Sequence, residues 1–301
     1  MLMVNFNHEI LHLRGRNMFG NHPVGIYEKA FAPDITWKER LRRAKKLGFD
    51  FVEISIDETD ERLARLDWTR EEKKELLDAM WETGVGIYSM CLSGHRRFPF
   101  GSADESVREK AHEIMDKAID FASELGIRVI QLAGYDVYYE ESTAESVRLF
   151  GMGMKWAAER AARKQVMLAM EIMDTPFMNS ITKHLKYENE ISSPWFKVYP
   201  DLGNLSAWEE NDPEKEIEKG ISSIVGVHVK DTLPPKGDFK GQFKCVKFGE
   251  GCVDFPARFA ELDDLGYSGP YMIEMWYKDG TDDVTEIAKA KEWLSAQYER
   301  K

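Results

Sequence analysis

The feature that most constrains this chain is a regular alternation. From Pro23 onward, short apolar or β-branched runs alternate with longer, charge-rich amphipathic segments. This alternation is typical of successive strand–helix units that build a parallel sheet. The predicted strands are Val24–Tyr27, Phe51–Ile56, Val85–Met90, Val129–Leu132, Val166–Ile172, Phe196–Tyr199, Ile224–Val229 and Tyr271–Met275. Eight units in about 280 residues favour a closed (β/α)₈ TIM barrel. The alternative is an open doubly wound sheet, but no G-x-G-x-x-G follows the first strand.

The positions of glycines along the chain support a single domain. Glycines fall just after the predicted helices at Gly48, Gly84, Gly126 and Gly266, where a helix C-cap belongs. We predict a single barrel domain over residues 23–301, preceded by an extension over residues 1–22 that need not be ordered. The segment Asp231–Asp254 is too long for an ordinary connection, so we expect an active-site loop there.

Composition limits the partners. The formal net charge of −12 opposes nucleic-acid binding, and no apolar run reaches the length of a membrane span. Cys91, Cys245 and Cys252 include no C-x-x-C pair, which fits a reducing compartment. The first residues lack the apolar core of a secretory signal. The sequence contains no Walker-type loop, so we predict no nucleotide cofactor. We therefore expect a cytoplasmic protein with a small-molecule substrate.

Four of the later strands end on a charged or metal-binding side chain: Glu171, Asp201, His228 and Glu274. Burying an ionised carboxylate costs several kcal/mol unless a cation or donors compensate it. In a barrel these four ends converge at the C-terminal mouth. One divalent metal ion, Mn²⁺ or Zn²⁺, would compensate all of them. Separate structural roles for each residue are the alternative.

Two glutamates in such a set suggest acid–base chemistry. If a ketose bound with its carbonyl and an adjacent hydroxyl on the metal, the ion would stabilise an enediolate. One glutamate would remove a carbon-bound proton and the other would return one. With Glu171 and Glu274 on opposite faces of the substrate, this sequence of steps would invert the carbon, which is epimerisation.

Substrate contacts are predicted near the same mouth. The loop from Ser93 to Arg97 offers a hydroxyl, a glycine amide and three possible cations, so it can form an anion cradle; a solvated basic turn is the alternative. The remaining candidates for substrate or phosphate contacts are polar residues in or just after strands, and structural roles explain them equally well. The full predicted set is Glu53, Ser93, His95, Arg96, Asn204 and Lys230.

A short motif at the N-terminus matches a different chemistry. His8-Glu9-Ile10-Leu11-His12 fits H-E-x-x-H, the pattern of zinc metalloproteases. That pattern needs a long helix and a third ligand, and the sequence around it offers neither. We therefore do not predict a protease.

Nine strings of the sequence together resemble the L-ribulose-5-phosphate 3-epimerases of L-ascorbate and L-gulonate utilisation. They are Gly25–Lys29, Gly48–Glu53, Asp57–Leu63, Cys91–Pro99, Gln131–Tyr139, Met170–Asp174, Tyr199–Trp208, Val227–Thr232 and Phe248–Gly251. The resemblance runs from about Pro23 to the C-terminus and includes nothing before it. It implies a xylose isomerase-like barrel that interconverts L-ribulose 5-phosphate and L-xylulose 5-phosphate at C3.

The resemblance also assigns roles. It implies that Glu171, Asp201, His228 and Glu274 hold the metal and that Glu171 and Glu274 are the acid–base pair. Related epimerases of free sugars carry a histidine where this chain has Asn204, which favours a phosphorylated substrate. The open alternatives are an aldose–ketose isomerase of the same superfamily and a non-catalytic sugar-phosphate sensor. Barrels of this kind often pair through their outer helices, so we also predict a homodimer.

Overall fold

The computed structural model describes residues 18–301, and eight parallel strands form its centre. Neighbouring strands pair in the order β6-β5-β4-β3-β2-β1-β8-β7, and the bridges Val198↔Ile224 and Asp201↔His228 link β6 to the β7 segment. The predicted (β/α)₈ barrel is confirmed. The strands are β1 Val24–Tyr27, β2 Phe51–Ile56, β3 Gly86–Leu92, β4 Val129–Leu132, β5 Met167–Glu171, β6 Phe196–Tyr199, β7 Val227–Val229 and β8 Tyr271–Ile273.

The helices surround this sheet. They begin at the polar caps that the sequence offers: Thr69 and Thr143, for example, each accept the backbone N–H three residues later in a capping box. Gly84 and Gly126 end two helices at φ of 70° and 72°, as predicted. The α-helices are α1 Trp37–Lys46, α2 Asp60–Leu63, α3 Arg70–Thr83, α4 Glu105–Leu125, α5 Ala144–Lys164, α6 Ile181–Ile191, α7 Leu202–Ser206, α8 Pro213–Gly220, α9 Phe255–Asp264 and α10 Asp283–Tyr298.

Strand lengths differ from the sequence-based expectation mainly at β7. This strand covers only Val227–Val229, whereas the apolar pattern predicted Ile224–Val229. Ile224 makes a single bridge to Val198, and a Cβ at Gly226 would lie 2.4 Å from the Tyr199 ring. The segment before Val227 therefore meets β6 at one bridge, and regular pairing with β8 begins only at Val227.

The N-terminal end of the barrel is closed by aromatic side chains. Phe19 has no exposed surface, and its ring centroid lies 4.9 Å from that of Phe259, 5.1 Å from that of Tyr271 and 5.3 Å from that of Tyr298. Residues 18–22, part of the predicted extension, thus pack on the barrel. The rest of that extension and the H-E-x-x-H motif lie outside the described residues, and the domain boundary stays a prediction. No helix within residues 18–301 is long and apolar enough to cross a membrane.

Candidate active site

The four predicted metal ligands meet at the C-terminal mouth of the barrel. One ligand atom from each of Glu171, Asp201, His228 and Glu274 lies within 4.8 Å of the others. Glu171 ends β5, Asp201 follows β6, His228 stands in β7 and Glu274 follows β8. Adjacent parallel strands deliver these side chains to one point, which is why the spacing along the chain brings them together.

The two ring nitrogens of His228 have different surroundings. Its Nε2 lies 3.1 Å from Glu53 Oε1, while its Nδ1 faces the cluster at 3.2 Å from Glu171 Oε1. The other oxygen of Glu53 accepts a 2.6 Å hydrogen bond from the Ser89 hydroxyl. A carboxylate that accepts from one ring nitrogen leaves the other nitrogen available as a metal ligand. Glu53 is thus placed to orient His228 and does not line the pocket.

Asp201 divides its carboxylate between two roles. Its Oδ1 accepts the backbone N–H of Asn204 at 2.7 Å and so caps α7, while its Oδ2 is buried and has an ion-pair partner but no hydrogen bond within residues 18–301. The Lys230 ammonium lies 3.0 Å from Oδ2 and donates to Asn204 Oδ1 at 2.9 Å. The Asn204 amide in turn donates to the Ile172 carbonyl. Asn204 therefore holds Lys230 against the carboxylates.

Burial and mutual repulsion perturb the titration of these groups. Burial, only partly offset by the charge of Lys230, raises the pKa of Asp201 to about 7. Burial would lower the pKa of His228, but the carboxylates of Glu53 and Glu171 outweigh it and raise that pKa well above its usual value. Burial would likewise raise the pKa of Glu274, but the charges of Lys230 and His228 lower it. The cluster has an excess of negative charge.

The donor set fits a divalent cation. Three carboxylates and one imidazole nitrogen are the ligands that Mn²⁺ and Zn²⁺ accept. Glu274 Oε2 and Asp201 Oδ2 are buried without a hydrogen bond among the described residues and share the Lys230 ammonium, at 3.4 Å and 3.0 Å. Such atoms are costly to bury unless an ion or an unseen donor compensates them. The residues present therefore agree with the sequence-based ligand set, and the identity of the metal is not fixed by them.

An open pocket leads from solvent to this cluster. Glu171 and Glu274 line it, whereas Asp201 and His228 have 0% exposure and lie behind them. Of the predicted substrate-contacting residues, Ser93, Arg96, Asn204 and Lys230 also line it. The pocket therefore brings both glutamates and most of the predicted contacts to one space.

His95 is not among those residues. Its ring stacks on Phe100 with centroids 4.8 Å apart, and its Nε2 lies 3.1 Å from the Ala111 carbonyl. Burial lowers its pKa to about 4, so it is uncharged at neutral pH. Arg97 also points elsewhere, because its guanidinium pairs with Asp60 at 2.6 Å. The turn thus presents Ser93 and Arg96 to the pocket, while the His95 and Arg97 side chains lie outside it.

Sequence reasoning missed several residues in or beside the pocket. Gln131, buried behind the pocket, donates to Glu171 from β4, and a polar residue in the apolar run Val129–Leu132 was a usable signal. Lys29, Asp174 and Lys244 line the pocket, but they lie in loops where charged residues are ordinary. Burial, followed by the positive charge of Arg96, lowers the pKa of Lys244. Lys244 thus lies within electrostatic range of Arg96.

The fold and the sequence both match known proteins. The model of the xylose isomerase-like TIM barrel family matches residues 41–297. The chain is 58% identical over 275 residues to L-ribulose-5-phosphate 3-epimerase UlaE of Escherichia coli (strain SE11), and equally to UlaE of Shigella sonnei, covering 91% of this chain and 94% of each relative. Among solved structures, D-allulose 3-epimerase from Methylomonas sp. in complex with D-allulose superposes with a TM-score of 0.74 at 20% identity, covering 92% of this chain and 97% of that one. The last similarity concerns the fold alone.

Proposed function

We propose a reaction for this chain, which belongs to the xylose isomerase-like TIM barrel family and, within it, to the L-ribulose-5-phosphate 3-epimerases, enzymes of the isomerase class. The proposed reaction interconverts L-ribulose 5-phosphate and L-xylulose 5-phosphate, the pair that differs only in configuration at C3. It proceeds by removal of the C3 proton and return of a proton to the opposite face, through an enediolate.

One observation carries this proposal: of the four clustered side chains, only Glu171 and Glu274 reach the pocket. They stand on β5 and after β8, three strands apart around an eight-stranded ring, and so approach the pocket from different sides. A base on one side and an acid on the other are what inversion of a carbon requires. Binding alone would not need two carboxylates in that arrangement.

The same cluster would hold a divalent cation, Mn²⁺ or Zn²⁺, with Glu171, Asp201, His228 and Glu274 as ligands. When bound, the cation supplies positive charge that favours loss of the proton next to the substrate carbonyl. Glu53 keeps the His228 ring in place through Nε2, so that Nδ1 faces the cluster. Lys230, held by Asn204, adds a fixed positive charge beside Asp201.

The test is incorporation of solvent deuterium at C3 of L-ribulose 5-phosphate. Wild-type protein would be assayed after chelation and again with Mn²⁺ or Zn²⁺ restored, beside Glu171→Gln and Glu274→Gln. We expect label at C3 and formation of L-xylulose 5-phosphate with metal present, and loss of turnover in both variants. Label at C1 would instead identify an aldose–ketose isomerase, and no exchange with any metal would favour a sugar-phosphate sensor.

Three further properties stay predictions. We expect a homodimer, which sedimentation equilibrium would check against the 34.8 kDa mass of one chain. We also expect a cytoplasmic location and a role in L-ascorbate degradation. Growth of a deletion strain on L-ascorbate, compared with growth on glucose, would test that role.

A further inference from the structure

The two glutamates that reach the pocket are held by different kinds of neighbour. Glu274 Oε2 lies 3.4 Å from the Lys230 ammonium. Within residues 18–301, no lysine or arginine nitrogen lies within 4.0 Å of the Glu171 carboxylate. Its Oε1 lies 3.2 Å from Nδ1 of His228, and its Oε2 accepts a hydrogen bond from the side-chain amide of Gln131. A neutral donor therefore holds Glu171, whereas Glu274 lies beside a cation.

Gln131 is a polar side chain in an otherwise apolar strand. It lies in β4 between Ile130 and Leu132 and has no exposed surface. Its neighbours in the sheet are Cys91 on β3 and Ala169 on β5. Side chains alternate between the two faces of a strand, so Gln131 points to the face opposite that of Ile130 and Leu132. Its amide thus reaches the glutamate at the end of β5 from behind the pocket.

The chemistry of this contact fixes the orientation of the amide. The nitrogen faces the Glu171 carboxylate, because the carbonyl oxygen in that place would bring two acceptors together. The carbonyl oxygen of Gln131 is then buried without a hydrogen-bond partner in the part of the chain that the structure describes. A buried amide with an unused acceptor is less stable than an apolar side chain of the same shape. Packing alone therefore does not explain a glutamine here, and its one contact with Glu171 does.

Two contacts fix the plane of the Glu171 carboxylate. His228 Nδ1 lies beside one oxygen and Gln131 donates to the other, so rotation of the group about its last bond would break a contact. Each oxygen of a carboxylate keeps a second acceptor site for an ion or a proton. Proton removal from carbon depends steeply on the position of the base, and a displacement of about 1 Å can slow it about 100-fold. A carboxylate fixed in this way suits a base that serves one side of the substrate.

We propose that Gln131 is a positioning residue of the epimerase: its amide orients the Glu171 carboxylate toward the substrate and toward the divalent cation. This inference rests on the proposed function, in which Glu171 is one of the two acid–base groups. Gln131 does not line the pocket, so it acts through Glu171 and not on the substrate. Its loss should slow proton transfer and weaken the cation site while leaving substrate binding unchanged.

The main experiment compares Gln131→Met with Ile130→Val. Methionine keeps the length of the side chain and removes the donor, whereas Ile130→Val removes one methyl group from the other face of the same strand. At saturating Mn²⁺, kcat for L-ribulose 5-phosphate should fall about 10- to 100-fold in Gln131→Met, with KM within about twofold of wild type. Both constants should stay within about twofold in Ile130→Val, because its contact with Glu171 is none.

Affinity for the cation gives a second result that needs no turnover. Chelated protein would be titrated with Mn²⁺ in competition with a metal-sensitive dye. We expect Gln131→Met to bind Mn²⁺ about 10-fold or more weakly than wild type, and Ile130→Val to bind it as wild type does. Gln131→Asn, which keeps the amide but shortens the side chain by one methylene group, should show the same changes and replaces Gln131→Met if circular dichroism shows that variant to be unfolded.

Three results would contradict the proposal in different ways. A folded Gln131→Met with unchanged kcat and unchanged Mn²⁺ affinity would overturn the positioning role, and so would a raised KM with kcat retained. An equal fall of kcat in Ile130→Val would also overturn it, because packing of β4 would then explain the effect. Weaker Mn²⁺ binding by Gln131→Met, together with a wild type that does not turn over L-ribulose 5-phosphate, would instead overturn the proposed function and leave the contact with Glu171 established.

Discussion

The two ends of the barrel surround their carboxylates in different ways. At the N-terminal end, the Asp263 carboxylate receives the His22 imidazole at 3.2 Å and the Tyr298 hydroxyl at 2.8 Å. At the mouth, Asp201 Oδ2 and Glu274 Oε2 are buried without a hydrogen bond among the described residues and share the Lys230 ammonium, at 3.0 Å and 3.4 Å. The N-terminal end satisfies its carboxylate with hydrogen-bond donors, whereas the mouth holds more carboxylate oxygens than its own cations satisfy.

This difference indicates where function lies, because a buried carboxylate without enough donors lowers the stability of the fold. Such carboxylates are retained where a bound ion or substrate compensates their charge. Satisfied groups and packed aromatics stabilise the fold whether or not a ligand is present. In barrels of this class, chemistry belongs to the C-terminal mouth and stability to the opposite end. Substitutions at the two ends should therefore separate activity from stability.

The largest expected effect is at the mouth. Glu274→Gln removes one charge from an acidic cluster and keeps the shape of the side chain. We expect kcat to fall about 10³-fold, because a general acid or base is lost. In the presence of chelator, the melting temperature should fall only slightly, because the variant loses the ion pair of Glu274 with Lys230 but relieves the repulsion that Glu274 exerts on Asp201. A melting temperature several degrees lower with activity retained would break the comparison.

The converse change is at the N-terminal end. Phe19→Ala should lower the free energy of unfolding by about 3 to 5 kcal/mol, because a fully buried aromatic ring leaves a cavity. The kcat of the folded protein should stay within about twofold of wild type. Trp81→Ala is the matched control, since Trp81 is 90% exposed and its loss should change stability by less than about 0.5 kcal/mol. Urea unfolding and steady-state assays would measure both quantities.

A third variant tests how far the mouth depends on residues behind it. Glu53→Gln keeps the side-chain volume but weakens the hold on His228 Nε2. We expect affinity for Mn²⁺ or Zn²⁺ to fall about 10- to 100-fold, as is usual for groups that orient a ligating imidazole. Competition with a metal-sensitive dye would measure it. Full activity at saturating metal would show that Glu53 positions the ligand and takes no part in proton transfer, whereas unchanged affinity would contradict that role.

The same contrast explains what the sequence could predict. Periodicity predicted all eight strands, because each parallel strand is a buried apolar run bounded by charged helices. The four clustered residues were predictable because each interrupts such a run with a charge, and Gln131 could have been found in the same way. Sequence reasoning identifies a site residue when its polarity departs from the apolar pattern of its own strand.

The loops have no such apolar pattern against which a functional residue would stand out. Lys244 and Asp174 stand among many charged residues, and only the folded chain shows which of them face the pocket. His95 failed to reach the pocket for a related reason: a basic turn resembles an anion cradle in sequence, yet its imidazole stacks on Phe100. The short β7 likewise depends on where regular strand pairing begins, which periodicity does not encode.

The smallest expected effect concerns a carboxylate that is satisfied like Asp263, on the outer wall. Burial would raise the pKa of Glu188, but hydrogen bonds with His184, Lys197 and Ser223 outweigh it and lower that pKa to about 2 from an ordinary value of 4.5. A group with a lowered folded pKa stabilises the fold fully above its unfolded pKa, and this stabilisation is lost as pH falls toward the folded value. Glu188→Gln should therefore cost about 1 kcal/mol at pH 7.

That cost should shrink between about pH 4.5 and pH 2, where wild-type Glu188 takes up its proton. Urea midpoints of the two proteins at pH 7, 5 and 3, all with chelator present, would follow the difference. A pH-independent gap for Glu188→Gln would mean that packing, and not its charge, is what the variant removes.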